Sequence, residues 1–337
     1  MDGLIPYLPL WPHHSRGDGT ALAAEFRKAV SGDRLSSRFR WSGTWSRLPR
    51  IRTLLVLAGI LLSSVDCVHA QTTAADFNKR GLAKSDKGDL DGAIADYTRA
   101  IELDPKYASA YHNRGIAKSD KGDLDGAIAD YSGAIELDPK FSAPYQGRGK
   151  ARRIKGDLDG AIVDYNRAIE LDPKNVYAYT SRGTANELRR SWTDALVDYR
   201  RVCELDPKND YPHLFIWLIR TRLGEQIAAS EELGGWVEKR WHGLPGDWVV
   251  KVADFLRGQI SEEELFTAAR TPDPKKEQGQ FCEAWFYAGM KHLFAGDKPT
   301  GIRYLHKSLA TEMKDFTEYS LAQSELKALG ETVSESQ

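Results

Sequence analysis

Long apolar runs are scarce in this 337-residue chain, and so are the residues on which most chemistry depends. The longest apolar segment covers residues 54–65, well short of the roughly 20 residues a membrane-spanning helix needs. Three cysteines are too few for a disulfide-built scaffold. No nucleophile elbow, phosphate loop, dinucleotide fingerprint or zinc-protease helix motif occurs. Beyond residue 70 the histidines are His112, His213, His242, His292 and His306, scattered without ligand spacing. Net charge is −1, but the first 70 residues carry nine Lys/Arg against five Asp/Glu, which leaves the remainder at 38 against 43. A mildly acidic body excludes nucleic acid as the principal partner.

What the chain does have is a 34-residue period. Pro105, Pro139, Pro173 and Pro207 each stand 34 apart and divide residues 74–209 into four units. Small residues recur in step, as Gly81, Gly115, Gly149 and Gly183, then Ala93, Ala127, Ala161 and Ala195. Large ones recur as Phe77, Tyr111, Tyr145 and Tyr179, then Tyr97, Tyr131, Tyr165 and Tyr199. A small residue where two helices cross lets their backbones approach to roughly 8–10 Å, and an aromatic fills the space beside it. Gly88, Gly122 and Gly156 suit the left-handed residue that ends a helix, and the Asp after each suits the cap of the next. Pro105 and its equivalents are expected in a helix's first turn. One such hairpin cannot bury its apolar face alone, so units must stack.

Period and pattern resemble the tetratricopeptide repeat (TPR) family. The resemblance implies an all-α, right-handed solenoid of antiparallel helix pairs: four regular repeats, then degenerate repeats and a capping helix. Residues 71–209 hold the four repeats and residues 210–330 a degenerate helical region, with a disordered tail at 331–337. In that region residues 214–219 read as a buried helix, followed by Gly224 and Ala229 at the turn and small positions. A helix is expected from Asp247 to Gly258, a capping box at Ser261 and Glu264, and a loop over residues 271–280. Cys282, Trp285, Gly289, Gly296, Gly301 and Leu305 restore the repeat frame, and residues 316–329 form a closing helix.

The first 70 residues read as a leader. Arg47, Arg50 and Arg52 precede the apolar segment, and Val68-His69-Ala70 follows it, the pattern of a signal peptide cleaved after Ala70. The protein is therefore expected in the periplasm, held at a membrane only if the leader stays uncut. Cys67 lacks the setting of a lipidation site, because Ser64 and Asp66 stand where an apolar and a small residue belong. Cys203 and Cys282 are expected as separate buried thiols.

Trp217, the Gly258-to-Glu262 corner, residues 286–289, Gly296-Asp297 and residues 316–318 with Leu326 resemble the bacterial envelope lipoprotein NlpI. That resemblance implies a homodimeric, non-catalytic adaptor that holds peptidoglycan hydrolases and a processing protease together.

Several chemistries compete with the adaptor reading. Cys203 with His213, or Cys282 with His292, could be cast as nucleophile and base, but both pairs lie on elements the repeat already explains. The run Lys87 to Gly92 mimics the middle of a calcium loop, yet Lys87 and Thr98 occupy its first and twelfth positions. No enzyme activity, metal or cofactor is expected. Arg80, Arg114, Arg148 and Arg182 share the period of Asp96, Asp130, Asp164 and Asp198 and predict an internal Arg–Asp ladder rather than a basic stripe. Some TPR grooves clamp a terminal carboxylate with Lys and Asn; Asn113 could serve here, but the Lys partners are absent. The expected binding face is the groove lined by first helices, with Asn78, Ser85, Asp86, His112, Asn113, Ser119, Asp120, Gln146, Lys150, Arg153, Thr180 and Glu187 exposed to protein partners. The alternative places glycan or small-molecule binding, or an enzyme, in the C-terminal region, where Trp236, Trp241 and Trp248 near His242 could stack a sugar ring.

Overall fold

A computed structural model describes residues 72–240 and 247–333. The leader with its cleavage site, Cys67, Trp241, His242 and the last four residues lie outside the described residues.

Every regular element described is a helix. Four pairs come first: α1 (Ala74–Ser85) with α2 (Leu90–Leu103), α3 (Ala108–Asp120) with α4 (Leu124–Leu137), α5 (Ser142–Ile154) with α6 (Leu158–Leu171), and α7 (Val176–Leu188) with α8 (Trp192–Leu205). Thr73 opens α1 through a capping box with Asp76. Gly88, Gly122 and Gly156 take φ of 78°, 84° and 86° at the turn inside each pair. Asp89, Asp123 and Asp157 then accept a hydrogen bond from the backbone N–H of Gly92, Gly126 and Gly160 at 2.9 Å. A Cβ at Gly92 would stand 2.1 Å from the Asp89 carboxylate, so this close cap requires glycine. In the fourth pair Asp194 replaces that glycine, Ser191 makes no side-chain cap, and Arg190 is held at φ 64°.

The four repeat prolines do not start helices. Pro105 follows the C-cap Asp104 in a turn closed by the Tyr107 N–H on the Asp104 carbonyl at 3.1 Å, and the same bond recurs at Asp138, Asp172 and Asp206. Proline suits the second place of such a turn because its φ is already set; α3 begins three residues later.

Within each pair an aromatic ring lies against bare backbone. A Cβ at Gly81, Gly115 or Gly149 would meet the ring of Tyr97, Tyr131 or Tyr165 at 2.6–2.8 Å. First helices also touch the first helices of neighbouring pairs, α1 on α3, α3 on α5 and α5 on α7. First helices therefore line the inner side of the stack.

Beyond the fourth pair come α9 (Tyr211–Arg222), α10 (Gln226–Arg240), α11 (Trp248–Arg257), α12 (Glu262–Ala268), α13 (Pro274–Phe294), α14 (Lys298–Leu309) and α15 (Thr317–Ala328). Residues 274–280, expected as loop, are instead the first two turns of α13. Asp273 caps the backbone N–H groups of Lys275 and Lys276, and Pro274 at the first position loses no hydrogen bond there. Gly289 and Gly301 bring α13 and α14 together, since a Cβ on either would lie 3.0–3.2 Å from the other's carbonyl. One core runs from Ala195 and Tyr199 through Trp217, Phe255 and Tyr287 to Leu326. α15 packs on α13 and α14 and returns to α7. Gly330, with φ 83°, ends it.

Candidate partner-binding face

An ion ladder holds the first helices to the second. Arg114 donates through Nε and Nη2 to Asp130 at 2.8 and 2.7 Å, and Arg148 and Arg182 hold Asp164 and Asp198 in the same way. Arg80 pairs with Asp96. Each Asp is buried, and a second side chain one turn on supports it: Lys84, Lys118 and Arg152 at 2.7–2.9 Å, then Asn186 at 3.3 Å. The Nη1 groups reach backward, Arg114 to Thr98, Arg148 to Ser132 and Arg182 to Asn166, at 2.6–3.0 Å. Bidentate pairing fixes guanidinium orientation, so each rung also sets the angle between repeats. The Arg80 guanidinium beside Asp96 holds that carboxyl down at about 2. At Asp198 burial outweighs Arg182 and moves the carboxyl the other way.

With the arginines committed inward, the inner side shows other groups. Asp86, Asp120 and Lys150 are exposed, and Ser85, Asn113, Ser119, Gln146, Arg153 and Thr180 are half-buried. Leu82, Ile116, Ile154 and Tyr177 add exposed apolar surface to the same helices. Three expected groove residues are not free. Asn78 is buried, accepting from Asn113 at 3.0 Å and donating to the Tyr107 hydroxyl, so it joins the first pair to the second. His112 packs edge-on to Phe141 at 5.1 Å with Nδ1 buried and unpartnered, and burial pushes its imidazole down to about 4. Glu187 is 6 % exposed and accepts from the Tyr199 hydroxyl at 2.9 Å; burial raises its carboxyl to about 8. Each sits where α3, the Phe141 cap of α5 or α15 covers the first helix, a tertiary contact that helix periodicity does not contain.

Two family models match this architecture, one described as TPR repeat over residues 81–120 and 149–188, the other as tetratricopeptide repeat over residues 108–141. Residues 81–141 and 149–188 therefore carry tetratricopeptide repeats. Among solved structures, a tetratricopeptide repeat protein from Parabacteroides merdae ATCC 43184 is similar in fold, with 17% identity, 74% of this chain and 98% of that one covered, and a TM-score of 0.53. The MamA protein is 23% identical over 52% of this chain and 98% of its own, with a TM-score of 0.48. The second TPR domain of human RPAP3, solved with an HSP70 peptide, is 31% identical over 34% of this chain and 94% of its own, with a TM-score of 0.33. No curated protein matches the sequence.

TPR stacks are protein-interaction modules, and the Cys–His pairs of this one are not set up for nucleophilic chemistry. Cys203 Sγ lies 4.0 Å from His213 Nδ1, but burial pushes the thiol up to about 11 and the imidazole down to about 4. Both are held neutral, the reverse of a thiolate–imidazolium pair. Cys282 contacts Ser308, whereas His292 bonds to Glu262 and Asp297. Both thiols are free. Among the described residues no cluster could hold a metal ion, and no helix is long and apolar enough to cross a membrane. Trp236 stacks on His213, and Trp248 is buried with its indole N–H on Glu283, so these two rings do not form one platform.

Glu283 and Glu318, which sequence reasoning missed, and Glu187, which it placed in the groove, lie where α15 closes on the stack. Glu187 on α7, Glu283 on α13 and Glu318 on α15 are all buried, and their hydrogen-bond partners are the hydroxyls of Tyr199, Tyr211 and Tyr287 and the Trp248 indole. Burial raises all three carboxyls, and Glu318 raises Glu283 further.

Proposed function

We propose that this TPR protein is a non-catalytic, exported scaffold that gathers envelope proteins, peptidoglycan hydrolases and a processing protease among them, on its inner side. The observation that carries the reading is a contrast within the repeats. Ladder and Gly–Tyr positions repeat almost unchanged, whereas the inner positions run Leu82, Ile116, Lys150 and Ser85, Ser119, Arg153. Constant spacing with varied chemistry is what a groove needs to recognise particular partners. The leader and the NlpI-like residues support the periplasm as the place and a homodimer as the assembly.

Pull-down with the exported protein from envelope extract, after cross-linking, tests this. Changing Lys150 and Arg153 to Ala touches neither a ladder rung nor the Asn78–Asn113 contact, so stability should shift by a few tenths of a kcal/mol per site. Capture of the recovered partner should fall at least tenfold, about 1.4 kcal/mol. Unchanged capture would overturn the inner-side assignment. Mass spectrometry of the exported form should show Gln71 as its first residue; a form that retains residues 54–65 would overturn the proposed cleavage.

A further inference from the structure

A cavity of about 400 Å³ opens between α9, α11, the start of α13 and Phe316 before α15. At its floor is Glu283, 3 % exposed, whose Oε2 accepts from Trp248 Nε1 at 2.8 Å and whose Oε1 accepts from the Tyr211 hydroxyl at 3.3 Å. Its walls are the rings of Tyr211, Trp248 and Phe316, the last pressed so close to Gly279 that a Cβ there would meet it at 2.8 Å. Exposed Lys275 and Lys276 stand on the rim. Asp247, also on the rim, is already paired with Arg240 at 2.8 Å.

A buried carboxyl enclosed by aromatic rings is the chemistry that receives an ammonium group, because ring faces and carboxylate both attract a cation that has left water. Two lysines outside the same opening attract an acid. We propose that this cavity binds a small zwitterion, its ammonium against Glu283 and its carboxylate at Lys275 and Lys276. The groups facing Glu283 from the other elements are the Glu318 carboxyl of α15, the Tyr211 hydroxyl and the Trp248 indole. None supplies a cation. Burial and the Glu318 carboxyl therefore raise the Glu283 carboxyl, and an ammonium that enters favours its ionised form, sending to the buffer any proton the acid holds.

Isothermal titration of the exported protein with glycine, 4-aminobutanoate, 6-aminohexanoate and lysine tests the assignment. At least one should bind saturably, and the alkylamine and the carboxylic acid of matching length should each bind at least tenfold more weakly. At pH 7 the heats in buffers of different ionisation enthalpy should report net proton release. Glu283→Gln should abolish binding without lowering the melting temperature, whereas the double change Lys275→Ala, Lys276→Ala should weaken the zwitterion and leave the plain amine unchanged. Absence of saturable binding by all four up to about 10 mM, equal binding of the plain acid, or full binding by Glu283→Gln would each overturn the proposal.

Discussion

Arg114 on α3 donates through Nη1 to the hydroxyl of Thr98 on α2, 3.0 Å away in the preceding repeat, while its other nitrogens hold Asp130 within its own pair. One planar group therefore spans three helices. Ser132 and Asn166 take the place of Thr98 further along, so the link survives changes of side chain as long as an oxygen acceptor remains.

Loss of the acid should cost more than loss of the base. Asp130→Leu strands both Arg114 and Lys118, and breaking a buried pair from one side costs about 3–5 kcal/mol. Arg114→Leu leaves Lys118 on Asp130 at 2.8 Å and should cost roughly half of that. Urea melts of the two variants should rank in that order.

Glycine-to-alanine changes should rank by the space beside them. Gly149→Ala places a methyl 2.7 Å from the Tyr165 ring and should cost about 1–3 kcal/mol. At Gly183 the nearest Tyr199 atom is 3.1 Å away, so the same change should cost distinctly less. Thermal denaturation reads the difference.

Arg190 stands where the three earlier repeats have glycine and keeps φ 64°. A non-glycine residue in that region carries strain of about 1 kcal/mol, and its link to Glu325 at 3.4 Å is a surface contact of small worth. Arg190→Gly should therefore raise the melting temperature by a few degrees.

Stability should fall as pH rises from about 6.5 toward 8, above the interval in which His112 opposes the effect. Glu187 keeps its proton in the folded protein up to about 8, whereas the unfolded chain releases it near 4.5, so the folded state is favoured at low pH and loses that advantage through the interval. Glu187→Gln should flatten this part of the profile. His112 acts at the other end. The folded imidazole stays neutral down to about 4, so stability from this group is lost as pH falls from about 6.5 to 4. Melting temperatures of wild type, Glu187→Gln and His112→Gln across pH 4 to 9 check both signs.

The repeats were legible because period, turn glycines and small–large pairs are all local to 34 residues, and the Arg–Asp ladder shared that period. Its second rung was readable too, since Lys84, Lys118 and Arg152 follow each arginine by four residues, one helical turn. Asn78, His112 and Glu187 were misplaced because what covers them comes from another pair or, for Glu187, from near α15, more than 100 residues on. The start of α13 was hidden by Pro274, which reads as a breaker in isolation and as a first helical residue only once Asp273 is seen to cap. The buried carboxyls left no periodic trace, because Glu187, Glu283 and Glu318 lie on α7, α13 and α15, which pack only through the return of α15 that no spacing encodes.

The return of α15 to α7 bears on how the chain matures. The early pairs bury small clusters, such as Ala93, Tyr97 and Ala117, whereas the large apolar mass joins α8 to α15. At roughly 5–20 residues per second, about 12 to 50 s separate synthesis of α1 from that of α15. During that interval the nascent chain has little to condense around, and the segment that could clasp it has yet to be made. The large core is therefore completed by the last helix to be made, so truncation before Thr317 should leave α7 and α13 without the helix that covers them.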